Sequence, residues 1–253
     1  MNILDFSPAP GAAPASGRVV AHAFTEARLL VRNGEQLLLA LVIPVAILVL
    51  GRFLGGQFGE LATLAPSVLA LAIWSSSFTS VAIATGFERR YGVLERLAAT
   101  PLGRGGLLAG KAGAVILVVA GQLVILAGTA AALGWRPQFS ALSAIAGGAA
   151  VLLAIAAFCC LALALAGTLR AEATLALANL VYLVLLVGGA LVLPVARYPE
   201  LVQPVLRLLP TAALGETLRH SAAGQPLWWP LLVLAGWLLV GSGVVAKVFR
   251  WTS

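Results

Sequence analysis

Six stretches of this chain, at 36–54, 62–86, 107–133, 141–168, 173–194 and 228–249, are apolar over about twenty residues, with no Asp, Glu, Lys, Arg or His near their middles. At about 1.5 Å per residue, a helix of that length spans the hydrocarbon core of a bilayer. The strands of a membrane barrel would alternate apolar and polar residues, and these runs do not. The expected fold is an all-α integral membrane protein with six transmembrane helices. Composition excludes a water-soluble alternative. The 253 residues are 61% hydrophobic and 10% charged, whereas a soluble domain carries about a quarter charged residues.

The formal charge of +7 would suggest nucleic acid in a soluble protein. In a membrane protein, Lys and Arg collect on the cytoplasmic side, and no nucleic-acid partner is expected. With the N-terminus inside, eleven of the 16 basic residues face the cytoplasm: Arg18, Arg28, Arg32, Arg89, Arg90, Arg96, Arg104, Lys111, Arg170, Lys247 and Arg250. Both termini are therefore expected inside. Residues 1–17, rich in Pro, Ala, Gly and Ser, read as a disordered tail, and residues 18–253 as one transmembrane domain. The tail lacks the basic start and long apolar stretch of a cleaved signal peptide. Between tail and first span, RVVAHAFTEARLLVR places Val20, Phe24, Ala27 and Val31 at helical spacing. That pattern suits a helix lying in the headgroup region, or a plain extension of the first span.

The segment RGGLLAGKAGAV imitates a phosphate-binding loop, with Gly105, four residues, then Gly110 and Lys111. Such a loop needs Ser or Thr after the lysine, and a preceding strand. Ala112 stands there, after a charged segment without strand alternation. The expected role of Lys111 is instead an anchor that caps a span and snorkels to the interface. A Lys111→Ala chain would then keep ATP turnover in a complex with an ATPase. The adjacent Cys159 and Cys160 lie in an apolar run and form neither a disulfide framework nor a metal spacing.

The segment FERRYGVLERLA, Phe87–Ala98, reads as one amphipathic helix. Phe87, Tyr91, Leu94 and Ala98 form its apolar stripe, and Glu88, Arg89, Gly92, Glu95 and Arg96 its charged face. A face of mixed sign suits a protein partner better than anionic lipid alone, and a solvated interfacial helix without a partner is the alternative. Pro101 and Gly103 end it. Within the spans the polar residues are neutral, among them Ser76, Thr79, Ser80, Gln122, Asn179 and Tyr182. They hold helices together by hydrogen bonds or line a pathway. Ion-driven transporters need charged groups at membrane depth, so energy for transport would come from a separate subunit.

FERRYGVLERLAATPLGRGGLLAGK, Phe87–Lys111, closely resembles the signature segment of the membrane (permease) subunits of ABC exporters of the type-2 class. The matching residues are the Glu88-Arg89-Arg90 cluster, Gly92, Leu94-Glu95-Arg96-Leu97, Thr100-Pro101-Leu102, Arg104 and Gly110-Lys111. LLPTAALGETLRH, Leu208–His220, is similar to the family's stretch before the last span. The resemblance implies that residues 18–253 form the permease domain, with a cytoplasmic coupling helix that sits on an ABC ATPase through Glu88, Arg89, Gly92, Glu95 and Arg96. It implies that the 18–32 helix also touches that ATPase. It further implies two ATPase and two permease subunits, identical or related, with the permeases paired through the first and fifth spans. An outer re-entrant segment between spans five and six would close the exit, with Glu216 and Arg219 pairing on one turn.

On this reading the chain is non-catalytic, and ATP and Mg belong to the ATPase. There is no His cluster, Ser/His/Asp set or paired carboxylate at depth. The neutral, apolar interior suits a drug-like or lipid-like substrate, and the Leu-Glu-Arg-Leu form looks more like that of drug and antibiotic exporters. A lipid or glycan-linked lipid exporter of the same class, a secondary transporter and a non-transporting scaffold are the alternatives. Usage heavy in Ala, Leu, Gly and Arg suits the plasma (inner) membrane of a bacterium with a GC-rich genome.

Overall fold

The computed structural model describes residues 11, 13–32, 34–53 and 60–249. Among them every regular element is helical: α1 Ala15–Arg32, α2 Gly34–Phe53, α3 Leu61–Trp74, a π-helical stretch Ser75–Ser80, α4 Val81–Arg90, α5 Val93–Ala98, α6 Gly103–Ala132, α7 Ala141–Thr168, α8 Ala171–Gly188, a 3-10 turn Val195–Arg197, α9 Gln203–Leu206, α10 Pro210–Ala222 and α11 Trp229–Val248. Residues 1–10 and 12, most of the expected disordered tail, lie outside the described residues.

Five helices are long and apolar enough to cross a membrane: Leu61–Arg90, Gly105–Ala132, Ala141–Thr168, Ala171–Gly188 and Trp229–Val248. In the first of these, α3, the π-helical stretch and α4 run on as one rod. The expected first span corresponds to α2, whose described apolar part is the shorter Leu41–Phe53. The full 20 residues of α2 make about 30 Å of helix, and it continues through Pro44 without breaking. The bounds of α7 coincide with the sequence reading, and Ser140 caps its N-terminus. Ser140 Oγ accepts from the Ser143 N–H at 3.1 Å, and Ser143 Oγ accepts from the Ser140 N–H at 2.9 Å. This reciprocal box satisfies two otherwise unpaired donors.

The Leu61–Arg90 rod is the most buried span and α11 the least. The rod packs against α2, α6, α7, α8 and α10. Its centre is aromatic. Trp74 stacks on Phe78 with ring centroids 4.3 Å apart and meets Phe158 of α7 edge-on at 4.7 Å, geometries that add to plain area burial. Ala150, Ala154, Ala157 and Ala162, all buried, keep α7 slim enough for close neighbours. The outward side chains of α8 and α11, such as Leu180, Leu183, Leu232 and Leu239, are exposed and apolar. Only lipid or another apolar protein surface can cover such faces favourably.

Two sequence expectations fail in this part of the fold. The fifth span ends at Gly188 rather than near 194, because Gly189–Pro194 turns back onto α10. Residues 87–98 also do not form one helix. Gly92, with φ of 68°, sits in the left-handed region and separates α4 from α5. A side chain there would be strained, so glycine at this point redirects the chain and dissolves the single amphipathic stripe.

Candidate functional site

The break at Gly92 divides the expected contact residues into two groups. Glu88 and Arg89 end the long rod, whereas Glu95 and Arg96 sit on α5. Both α5 residues are exposed, and Leu94 just before them is fully buried. Leu94 thus pins the short helix down while its charges face out. Arg89 turns inward, and its Nη2 donates to the Leu169 carbonyl at the end of α7. Neither Glu88 nor Arg89 stays on the outward face where the sequence reading put it.

Glu88 joins an ionic cluster instead. Lys111 Nζ lies 2.6 Å from Glu26 Oε1 and 2.9 Å from the Glu88 carboxylate. The lysine side chain is only 7% exposed, so the snorkelling expectation is wrong for this residue. Tertiary packing is the reason. α1 lies along α6, and Gly110 has no Cβ where one would strike the His22 ring. That close approach buries Ala23 and Ala27 and carries Glu26 over Lys111. Val20, Phe24 and Val31 remain exposed on the other side of α1, an apolar stripe suited to the membrane interface. One lysine therefore ties together α1, the end of the rod that leads into α5, and α6.

Burial raises the pKa of the Glu26 carboxyl, but the Lys111 ammonium and the hydrogen bonds it receives carry it below the ordinary value of 4.5. A carboxyl with a depressed folded-state pKa stabilises the fold above its unfolded value, and that contribution is lost as pH falls through the lower, folded one. The docking of α1 is therefore expected to weaken as pH falls below about 4.5. A fluorophore at Arg28→Cys, in a chain with Cys159→Ala and Cys160→Ala, would report the release. A Glu26→Gln version should lack the transition, and identical acid profiles for the two would remove Glu26 from the effect.

At the opposite end, Arg219 of α10 organises the segment after α8. Its Nη1 donates to Ser67 Oγ and the Leu191 carbonyl, both at 2.9 Å, and its Nη2 to the Ala190 carbonyl and Glu216 Oε1, both at 3.0 Å. Glu216 Oε1 also accepts from the Val195 N–H at 2.8 Å. Ala190 adopts φ of 51°, a left-handed conformation that is costly for alanine. A buried arginine with four planar contacts is well matched to hold such a turn.

The six neutral polar residues differ in setting. Ser76 Oγ donates to Gln122 Oε1 at 2.7 Å in a buried bond between the π-helical stretch and α6, which is a packing contact. Thr79 and Ser80 are half-buried on the same stretch, Tyr182 is half-buried on α8, and Asn179 is exposed on α8. Sequence reasoning missed Glu26. The signal was available: a lysine within an apolar run requires a counter-charge, and Glu26 is the one acidic residue of the 18–32 helix.

The fold and these two ends define an all-α integral membrane protein with exposed charges on a short helix at one end and a clamped helical hairpin at the other. The model of the ABC-2 family transporter proteins matches residues 36–247, and the chain belongs to that family. It is thus a membrane component of an ABC transporter, and family membership implies an ABC ATPase partner. No curated protein matches the chain.

Proposed function

We propose that this protein is the permease subunit of an ATP-driven exporter that moves a hydrophobic, drug-like or lipid-like substrate out across the bacterial plasma membrane. Two copies of an ABC ATPase and a second permease, identical or related, complete the assembly, and both termini face the cytoplasm. The observation that carries the reading is α5: a buried Leu94 presents exposed Glu95 and Arg96, and Gly92 links that helix directly to the rod end held by Lys111. A push on α5 would be transmitted through Glu88 and Lys111 to α1 and α6. These are the elements an ATPase would have to move to open a path between permeases.

The substrate class is supported by a cavity of about 440 Å³ lined by Trp74, Phe78, Val181, Leu185 and Trp237 among others. Such a wall suits an apolar molecule. A lipid or glycan-linked lipid is the second reading, supported by the exposed apolar faces of α8 and α11 that border the same cavity. The Arg219 clamp is proposed to act as the outer gate.

The test is ATP hydrolysis by the purified protein in lipid, alone and with an ABC ATPase partner. The permease alone is expected to hydrolyse nothing, and the pair to turn over ATP faster than the ATPase by itself. Glu95→Lys and Arg96→Glu should reduce co-purification about tenfold or more, and leave thermal stability within about 0.5 kcal/mol because both residues are exposed. Undiminished co-purification and stimulation would remove α5 from the interface.

A further inference from the structure

A cleft of about 310 Å³ opens between the ends of α4 and α8, lined by Gly86, Arg89, Arg90, Arg170, Ala171 and Glu172. Three guanidinium groups face one carboxylate, which leaves a surplus of positive charge. Arg90 is ion-paired with Glu172, and both are half-exposed or more. Arg170 is exposed, and its guanidinium makes no hydrogen bond or ion pair among the described residues. It is also the N-cap residue of α8 and supplies no side-chain cap. The first backbone N–H of α8 to close on a carbonyl is that of Thr174, which donates to Arg170 at 2.8 Å. The preceding amides have no partner within the helix, and the helix dipole adds to their pull on an anion. Arginine forks, free amides and a wall at the end of two membrane helices together select a group with several acceptor oxygens, of which phosphate is the best match.

The surroundings say which phosphate. Going down the same face of α8 from Glu172, Leu175 and Leu183 are exposed on either side of Asn179, so a face apolar but for that one amide leads away from the cleft into the depth of the membrane. A free ion would leave that face unused. A phospholipid would set its headgroup on the arginines and its chains along Leu175 and Leu183. Cationic pockets between helix ends at the membrane surface are suited to anionic headgroups. We propose that this cleft binds the phosphate headgroup of an anionic phospholipid, with its acyl chains lying along α8. The site is separate from Glu95 and Arg96, and its occupancy does not depend on ATP.

The test uses the full chain in neutral detergent. Native mass spectrometry and thermal unfolding would be followed as phosphatidylglycerol, phosphatidylcholine or inorganic phosphate is added. Phosphatidylglycerol is expected to bind about tenfold more tightly than phosphatidylcholine, the scale of one charge-assisted hydrogen bond. Arg170→Ala, which removes an exposed and unpaired side chain, should fold normally and lose most of that preference, and Arg90→Ala with Arg170→Ala the rest. Unchanged preference in both variants would overturn the proposal. So would equal protection by inorganic phosphate, which would assign the cleft to a free ion. Loss of ATPase docking with lipid preference intact would assign it to the protein partner instead, and also count against the lipid.

Discussion

Lys111→Met lowers the stability of the permease by about 3–5 kcal/mol and abolishes its stimulation of the partner ATPase. The variant leaves Glu26 and Glu88 facing each other without the cation that both contact. Removing one member of a buried ionic group costs this much because the remaining charges stay desolvated. Neutralising the whole cluster, with Glu26→Gln, Glu88→Gln and Lys111→Met together, should recover most of the stability, since a neutral set of similar volume carries no such penalty. It should not recover coupling, because the tie between α1, α4 and α6 is gone. The measurements are thermal unfolding in detergent and ATP turnover of the reconstituted pair. A Lys111→Met protein with unchanged unfolding temperature would rule out the cluster as a structural tie. Turnover by the ATPase alone should persist in every case. Read as a lipid-facing anchor, Lys111 was expected to be dispensable for turnover in the complex. Its burial between two carboxylates reverses that expectation.

Arg219→Leu destabilises the protein by a similar amount, about 3–5 kcal/mol, and frees the segment between α8 and α10. The substitution strands Glu216, Ser67 and the carbonyls of Ala190 and Leu191. Without its two bonds to the turn, the left-handed conformation of Ala190 loses its main offset. Arg219→Lys keeps the charge but cannot span the four acceptors, so it should fall between the two. Protease accessibility at Arg197 and Arg207 reads the release, and transport in vesicles reads its consequence. Wild-type protease resistance in Arg219→Leu would mean that Trp237, whose Nε1 donates to the Leu208 carbonyl at 2.8 Å, and the Thr211 bond to the Gly189 carbonyl at 2.8 Å hold the segment unaided.

The fold was legible where a single helix decides its own fate. The span at 141–168 was read to the residue from its apolar run, and its start is one that Ser140 and Ser143 cap locally. The Glu216–Arg219 contact was legible too, as two residues three apart on one turn. The fifth span was misjudged by several residues. Its end is set by Thr211, Arg219 and Glu216, which are distant in sequence and invisible to a hydropathy window. The segment after the second span was misjudged for a backbone reason. Gly92 is tolerated in a helix at modest cost, and nothing local declares that it will instead adopt a positive φ.

Hydrophobic run lengths and the near-absence of charge were enough to settle that the chain is a helical membrane protein, because an unpaired backbone or charge in lipid costs too much to permit another solution. The order and composition of the segment 87–111 were enough to indicate the family. Which charges face outward and which are locked inside was decided only by the packing of α1 on α6 and by the turn at Gly92. Glu88, Glu95 and Lys111 have similar propensities on paper, but a buried ion requires a partner brought from elsewhere in the chain, here Glu26, 85 residues before Lys111. Long-range pairing of that kind is a property of the assembled fold, since only close packing can hold oppositely charged groups together away from water.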